Sequence, residues 1–307
     1  MTEIVLRTNE LTKVYKNNVV LDGVTLTIKR GSIYGFIGQN GAGKSTLIRI
    51  VNGLASPTSG SIELFGANGG RELVFARKRI GSIIESPALF PHMSAWENLE
   101  VHRMQKGIPG RKCIEETLEL VGLREAGKKK AKHFSVGMKQ RLGIAIALLG
   151  DPEFLILDEP TTGLDPKGVM SLRELLKRLH TENGTTILIS THILSELHLL
   201  ATHYGIIHKG KLIEQLTANE LHEKCKQYLH IKVNDASMAA TIIDQELHTS
   251  NFEVMPDGVI RLYQFVHDPG MVSSILFRAG LTIEQFMPRG EDLESYFVSR
   301  IKGERYV

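Results

Sequence analysis

The sequence predicts an α/β protein in two parts: a large domain on a parallel sheet with a phosphate-binding loop, then a small α+β module. Three observations predict this. An apolar run over residues 32–37 ends in Gly38-Gln39-Asn40-Gly41-Ala42-Gly43-Lys44-Ser45-Thr46 and continues into Leu47-Ile48-Arg49-Ile50-Val51, giving the strand, glycine-rich loop and helix such a loop requires. Residues 154–157 and 185–190 read as two more buried strands, and polar groups stand at the end of each, where open α/β sheets bind ligands. From about residue 219 the pattern changes to short strands and helices in alternation.

The loop carries the most chemistry. Its glycines allow successive N–H groups to turn inward, forming an anion cradle at the positive end of the following helix. Gly38, Asn40, Gly41, Ala42, Gly43 and Thr46 belong to that cradle. Lys44 is placed to reach the β- and γ-phosphates, and the Ser45 hydroxyl to complete the coordination of Mg²⁺. These residues point to a nucleoside triphosphate as ligand.

Length and composition agree with such a protein and exclude several others. A chain of 307 residues suits one large domain plus a smaller one. The net charge of +3 is small for that length, so it gives no argument for nucleic acid. The start lacks the basic-then-apolar order of a signal peptide, and no apolar run approaches the ~20 residues of a membrane span. A cytosolic chain is expected. Cys113 and Cys225 stand far apart in helical patterns and imply neither a disulfide framework nor a metal site.

Taken in order, residues 4–11 and 19–29 alternate like half-buried strands, with Asp22-Gly23 read as a turn inside the second. Tyr15 lies between them; it either stacks on a flat base or packs within the sheet. A turn at Ser56-Pro57-Thr58-Ser59-Gly60 precedes a short strand over 61–65, and a second strand over 80–84 ends at Glu85. Residues 94–132 are helical in pattern, with Trp96, Leu99, Met104, Ile114, Leu118, Val121 and Leu123 on one face and a break at 107–110. Lys128, Lys129, Lys130 and Lys132 read as a solvated face.

Ser135 is a good N-cap for the apolar helix that runs to Leu149, and Gly137 leaves the first turn of that helix open to an anion. Asp158 and Glu159 follow the strand over 154–157. A buried carboxylate pair is costly without a cation or water to act on. Asp158 fits the acid that holds Mg²⁺ and Glu159 the base that deprotonates the attacking water. His192, just past the strand over 185–190, can reach the γ-phosphate region of the same crevice.

In this order Tyr15, residues 38–45, Glu85, Ser135-Val136-Gly137-Met138-Lys139-Gln140, Asp158-Glu159, Gly163-Leu164-Asp165 and His192 resemble the nucleotide-binding subunit of ABC transporters, over roughly residues 2–220. The resemblance implies an ABC-type P-loop NTPase: a parallel core sheet, an antiparallel β subdomain, and a helical subdomain at about 90–150 within a nucleotide-binding domain of 1–219. It implies ATP and Mg²⁺ as cofactors, with Glu85 at the metal side. It also implies a homodimer in which Ser135 and Gly137 complete the opposite subunit's pocket, and Asp165 communicates across the interface. Separate integral membrane permease subunits are implied, with this chain peripheral on the cytoplasmic face of a bacterial membrane.

Two departures from the family pattern narrow the branch. The signature keeps Ser135 and Gly137 but has Val136 and Met138 where a glycine and a glutamine are usual, and Glu85 stands where a glutamine is usual. Both features, with Thr191-His192-Ile193-Leu194-Ser195-Glu196 and Glu291-Asp292-Leu293-Glu294-Ser295-Tyr296-Phe297, resemble the bacitracin-export and lantibiotic-immunity ATPases of Gram-positive bacteria. Export of a peptide antibiotic is therefore expected. A drug-sensing ABC complex shares every motif, and a soluble non-transport ABC ATPase is the other alternative, though the loop occurs once and no long heptad run is present.

Residues 220–307 read as strand 228–233, helix 238–247, a hairpin of 252–255 and 259–263, helix 271–279, strand 281–287 and a last helix 292–301. This βαββαβ order suits a ferredoxin-like module. It holds no catalytic constellation; packing, dimerisation, regulation and small-ligand sensing all remain open.

Overall fold

The computed structural model describes residues 3–290 and 293–302. Met1, Thr2, Glu291, Asp292 and residues 303–307 lie outside the described residues, as do the side chains of Ser195, Glu196 and Lys302. Contacts divide the chain into two units, Met1–Ala218 and Asn219–Val307.

The first unit opens with a long hairpin. Strand β1 (Ile4–Tyr15) pairs antiparallel with β2 (Asn18–Lys29). The turn read at Asp22-Gly23 is absent: β2 runs through it, and Gly23, at φ 61°, takes up an irregularity in the ladder. Next, β3 (Ile33–Ile37), buried at all five positions, passes through the glycine-rich loop into α1 (Lys44–Val51). Strand β4 (Ser59–Leu64) returns to pair with β1, giving a three-stranded antiparallel sheet in the order β2-β1-β4. Helix α2 (Gly70–Arg77), not among the elements expected from the sequence, leads to β5 (Ile80–Ile83).

Three helices then pack on one another: α3 (Ala95–Gln105), α4 (Lys112–Leu120) and α5 (Val136–Leu148). Ser94 and Glu97 close a reciprocal capping box on α3, and the glycine break falls between α3 and α4. Leu99, Ile114, Leu118, Val121 and Leu123 are buried as their spacing requires, but Met104 faces solvent, because the stripe of α3 turns away before its last turn. After α5 come β6 (Phe154–Asp158), α6 (Pro166–Asn183), β7 (Thr186–Thr191), the short α7 (Leu194–Leu197), and the hairpin of β8 (His203–His208) and β9 (Lys211–Thr217).

Six of these strands form the main sheet, in the order β5-β6-β7-β3-β8-β9, with every pair parallel except β8–β9. Helix α1 is held between the two sheets. Its Leu47, Ile48, Ile50 and Val51 join one core with Leu21, Val24 and Leu26 of the antiparallel sheet and Phe36, Phe154, Ile156 and Leu188 of the parallel sheet. At ~1.5–3 kcal/mol for each buried aliphatic side chain, that core fixes where α1 begins, and so the loop before it.

The second unit contains α8 (Ala218–Lys224) at the junction, then β10 (Tyr228–Val233), α9 (Ala236–Leu247), β11 (Phe252–Val254), β12 (Val259–Leu262), α10 (Pro269–Arg278), β13 (Ile283–Arg289) and α11 (Leu293–Lys302). The sheet order β11-β12-β10-β13, all antiparallel, is the strand arrangement of a ferredoxin-like fold. Leu229, Ile231 and Val233 of β10 pack with Ile243 and Leu276 of the two helices in a core of their own.

A charged clasp ties β2, β5 and β6 together at their far end from the loop. Arg79 holds Glu153 through two hydrogen bonds of 2.5 and 2.7 Å, and Arg30 bridges Glu153 and Glu3 at 2.8 Å each. The hydrogen bonds from Arg79, then from Arg30, lower the Glu153 pKa to about 2. A lowered carboxylate pKa means stability present above about pH 4.5 and lost as pH falls towards 2. With its side chain 38% exposed, Glu153 contributes about 1 kcal/mol after solvent screening. Glu153→Gln should therefore lower Tm by about 2–4 °C at pH 7, with the difference from wild type vanishing near pH 2 in parallel calorimetric scans.

Candidate active site

Five buried residues of β3 aim the loop at the carboxyl edge of the parallel sheet, where β6 and β7 also end. Loop geometry rests on two glycines. Gly41 has φ 80° with open space around it, and Gly43 has φ 111° with the place of a Cβ taken by the Val20 carbonyl at 2.8 Å and Leu21 Cδ2 at 2.7 Å. Gly38 is pressed equally hard, since a Cβ there would lie 2.6 Å from the Ile207 carbonyl. Val20, the residues from Asn40 to Thr46, and Glu159 line a cleft of about 180 Å³.

Lys44 is almost wholly buried at the cleft floor, 5% exposed. Its ammonium donates to the Gly38 and Gln39 carbonyls at 2.6 and 3.3 Å. It also lies 3.2 Å from Glu159 Oε1, an ion pair in which that oxygen accepts no aligned hydrogen bond.

Asp158 and Glu159 occupy different environments although they are neighbours. Asp158 is the last residue of β6 and is 1% exposed. Ser190 Oγ donates to its Oδ1, whereas Oδ2 is buried with no hydrogen-bond partner among the described residues. Glu159 leaves the strand with φ 49°, and its N–H is held by the Ser190 carbonyl at 3.1 Å and hydroxyl at 3.2 Å. Its Oε2 lies 2.8 Å from His192 Nδ1. The structure thus brings together the loop, Lys44, Asp158, Glu159 and His192.

An uncompensated buried carboxylate oxygen is costly unless a cation shares it. No group of three or more His, Cys, Asp or Glu side chains able to hold a metal alone occurs among the described residues. A divalent ion here would draw its ligands from one carboxylate, a hydroxyl and phosphates, which is how Mg²⁺ is held. Asp158 with its free Oδ2 and Ser45 at the start of α1 fit that donor set.

Other sequence-read residues lie elsewhere. Ser135 caps α5, its Oγ accepting from Met138 N–H at 3.3 Å. Among the described residues the place of a Gly137 Cβ meets only Leu164 Cδ2, at 3.7 Å, so none of them requires a glycine there. Asp165 caps α6 through Gly168 N–H at 2.8 Å and is exposed. Ser135, Gly137 and the 163–165 turn form a second surface group. Glu85 stands two residues beyond β5 at φ 64°, and its carboxylate pairs with Arg49 of α1. Tyr15 ends β1, 44% exposed, with Lys13 Nζ 4.7 Å from its ring centroid.

Sequence reading missed Ser190, Arg49 and Val20. Only Ser190 carried a signal, as a buried hydroxyl near the end of an apolar strand. A larger cavity of about 530 Å³ opens at the opposite edge, lined by Arg30, Cys113, Glu153 and Leu179 among others. It offers neither the inward N–H groups nor the carboxylate pair of the smaller cleft.

The ABC transporter family model matches residues 21–162. The bacitracin transport ATP-binding protein BcrA of Bacillus licheniformis is 42% identical over 97% of this chain and 98% of its own length. The chain belongs to the ABC transporter ATP-binding subunits. The lantibiotic transport ATP-binding protein SrtF of Streptococcus pyogenes is 46% identical over 68% of this chain and 89% of its own. Among solved structures, the dimeric post-hydrolysis state of the ATP-binding cassette MJ0796 bound to ADP and Pi matches with a TM-score of 0.64 at 28% identity, covering 70% of this chain and 99% of that one. As a member of this family the chain binds ATP and is an ATPase.

The two loop glycines separate strain from collision. Gly41→Ala, strained only by its positive φ, should cost about 1 kcal/mol in urea unfolding. Gly43→Ala, which must also displace the Val20 carbonyl, should cost about 3 kcal/mol and weaken ATP binding more than about tenfold by equilibrium titration.

Proposed function

We propose that this chain energises transport of a peptide antibiotic of the bacitracin type, working as a homodimer on separate membrane permease subunits. No helix among the described residues is long and apolar enough to cross a membrane, so a pathway through the bilayer calls for other chains. The peptide class is supported by the bacitracin relatives, which align with the C-terminal module as well as the nucleotide-binding unit. Lantibiotics are the related second class. A peripheral position at the cytoplasmic face of a bacterial membrane follows from this reading.

The chemistry rests on one observation: the partnerless Asp158 Oδ2 beside a Glu159 held between His192 and Lys44. Mg²⁺, when bound with ATP, neutralises charge on the β- and γ-phosphate oxygens. Ser45 and Asp158 would hold it, with Glu85 near the metal side. The loop N–H groups and Lys44 bind the phosphates, and Tyr15 supplies a flat face for the base. Phosphate oxygens replace the Glu159 carboxylate as the partner of Lys44, which frees Oε1 to take a proton from the attacking water. His192 orients Glu159 through Oε2, and in-line attack follows.

Ser135 and Gly137 are offered to a second copy. An open helix N-terminus with a capping hydroxyl suits the γ-phosphate of the facing pocket, and Asp165, at the adjacent turn, is placed to report across the interface.

Glu159→Gln should still bind ATP, run as a dimer with Mg·ATP in gel filtration, and turn over about 10²–10⁴-fold more slowly. Near wild-type hydrolysis by that variant would remove Glu159 as the base. In cells carrying the chain with its membrane partners, bacitracin tolerance should rise and should be abolished by Glu159→Gln. Tolerance that is unaffected in both strains would refute the substrate assignment while leaving the ATPase intact.

A further inference from the structure

The Arg49–Glu85 ion pair joins the loop helix to the strand exit beside the carboxylate pair, and Arg49 has no part in the proposed mechanism. Arg49 lies four residues beyond Ser45 on α1, so it stands one helical turn below the Ser45 hydroxyl on the same face. Glu85 follows β5, whose Ile83 pairs with Leu157 of β6, so it emerges at the same sheet edge as Asp158 and Glu159. Its backbone is held at φ 64°, a conformation glutamate rarely adopts. Both side chains are partly solvated, Arg49 43% and Glu85 62% exposed, so the pair can open and close at little cost.

A third carboxylate at this edge has a consequence. Beside Asp158 and Glu159, an unpaired Glu85 would add negative charge at the metal side and over-attract Mg²⁺. A guanidinium one turn below Ser45 cancels that charge without occupying the phosphate cradle.

We propose that Arg49 is a positioning residue for the metal side of the site, holding Glu85 as half of a neutral pair so that it meets Mg²⁺-bound water without acting as a free anion. The inference rests on the reading of residues 38–45, Asp158 and Glu85 as an Mg·ATP site.

The test is equilibrium binding of a fluorescent ATP analogue to the full-length chain, titrated with Mg²⁺ and repeated in EDTA, for Arg49→Gln, Arg49→Lys, Glu85→Gln and the double variant. Arg49→Gln should lower the half-saturating Mg²⁺ about fivefold, as expected for losing an exposed counter-ion. Arg49→Lys should restore the wild-type value, and analogue affinity in EDTA should stay within about twofold throughout. In the Glu85→Gln background, Arg49→Gln should produce no shift. An equal shift in both backgrounds, or none in either, overturns the inference, because Arg49 would then act on its own or not at all. A wild-type chain whose analogue binding ignores Mg²⁺ would instead overturn the underlying site assignment. Thermal melts of each variant separate a folding defect from a changed Mg²⁺ response: a shift confined to the Glu85 background at unchanged Tm supports the proposal.

Discussion

A buried ammonium group sets the form of the nucleotide end of this protein. Lys44 sits at 5% exposure where a lone charge would not be tolerated, so the chain supplies the Gly38 and Gln39 carbonyls and the Glu159 carboxylate around it. For two loop carbonyls to face the lysine of the next helix, the loop must curl back on itself. That curl is what requires left-handed backbone at Gly41 and Gly43 and leaves no room for a side chain at Gly38. Packing of α1 between the two sheets then fixes the helix rigidly enough for the curl to be maintained. Core, loop and charge are therefore one constraint seen at three scales.

The same constraint explains what was legible in the sequence. Loop, strand and helix are contiguous, so residues 38–46 announce both structure and chemistry within a few turns of chain. Asp158 and Glu159 were legible because their strand is wholly apolar and a carboxylate pair at its end has no packing reason to be there. Groups assembled across the fold were not legible. Ser190 serves Asp158 from the neighbouring strand, and Arg49 meets Glu85 across 36 positions. The turn misread at Asp22-Gly23 has a physical cause too, since a glycine with positive φ marks a bulge as readily as a turn, and only the pairing partner decides. In the second unit the helices and strands were legible by period, and the βαββαβ order with its hairpin pointed to the antiparallel sheet that the structure has.

Gly137 poses a separate question. A glycine in the first turn of a helix costs up to about 1 kcal/mol relative to alanine, and this one has ordinary van der Waals room for a methyl group inside its own chain. The cost has no return within the described fold. In the proposed homodimer, the close approach of an anionic ligand held by the other copy would account for both the glycine and the exposed Ser135 hydroxyl beside it.

Ser190 shows how two adjacent carboxylates acquire different duties. In a regular strand Asp158 and Glu159 would point to opposite faces, and one would enter the apolar core. Instead β6 stops at Asp158, and Glu159 turns into left-handed backbone, a cost of about 1–3 kcal/mol that persists only if neighbours hold it. Both lone-pair donors of Ser190, carbonyl and hydroxyl, receive the Glu159 N–H, while its hydroxyl proton goes to Asp158 Oδ1. One residue thereby orients the buried acid with a single oxygen left free, and swings the next acid towards Lys44 and His192. Removing the hydroxyl would leave Asp158 Oδ1 without its donor, while Glu159 would keep the Ser190 carbonyl on its N–H and Lys44 and His192 on its carboxylate, so the different settings of the two acids rest on both groups of one residue.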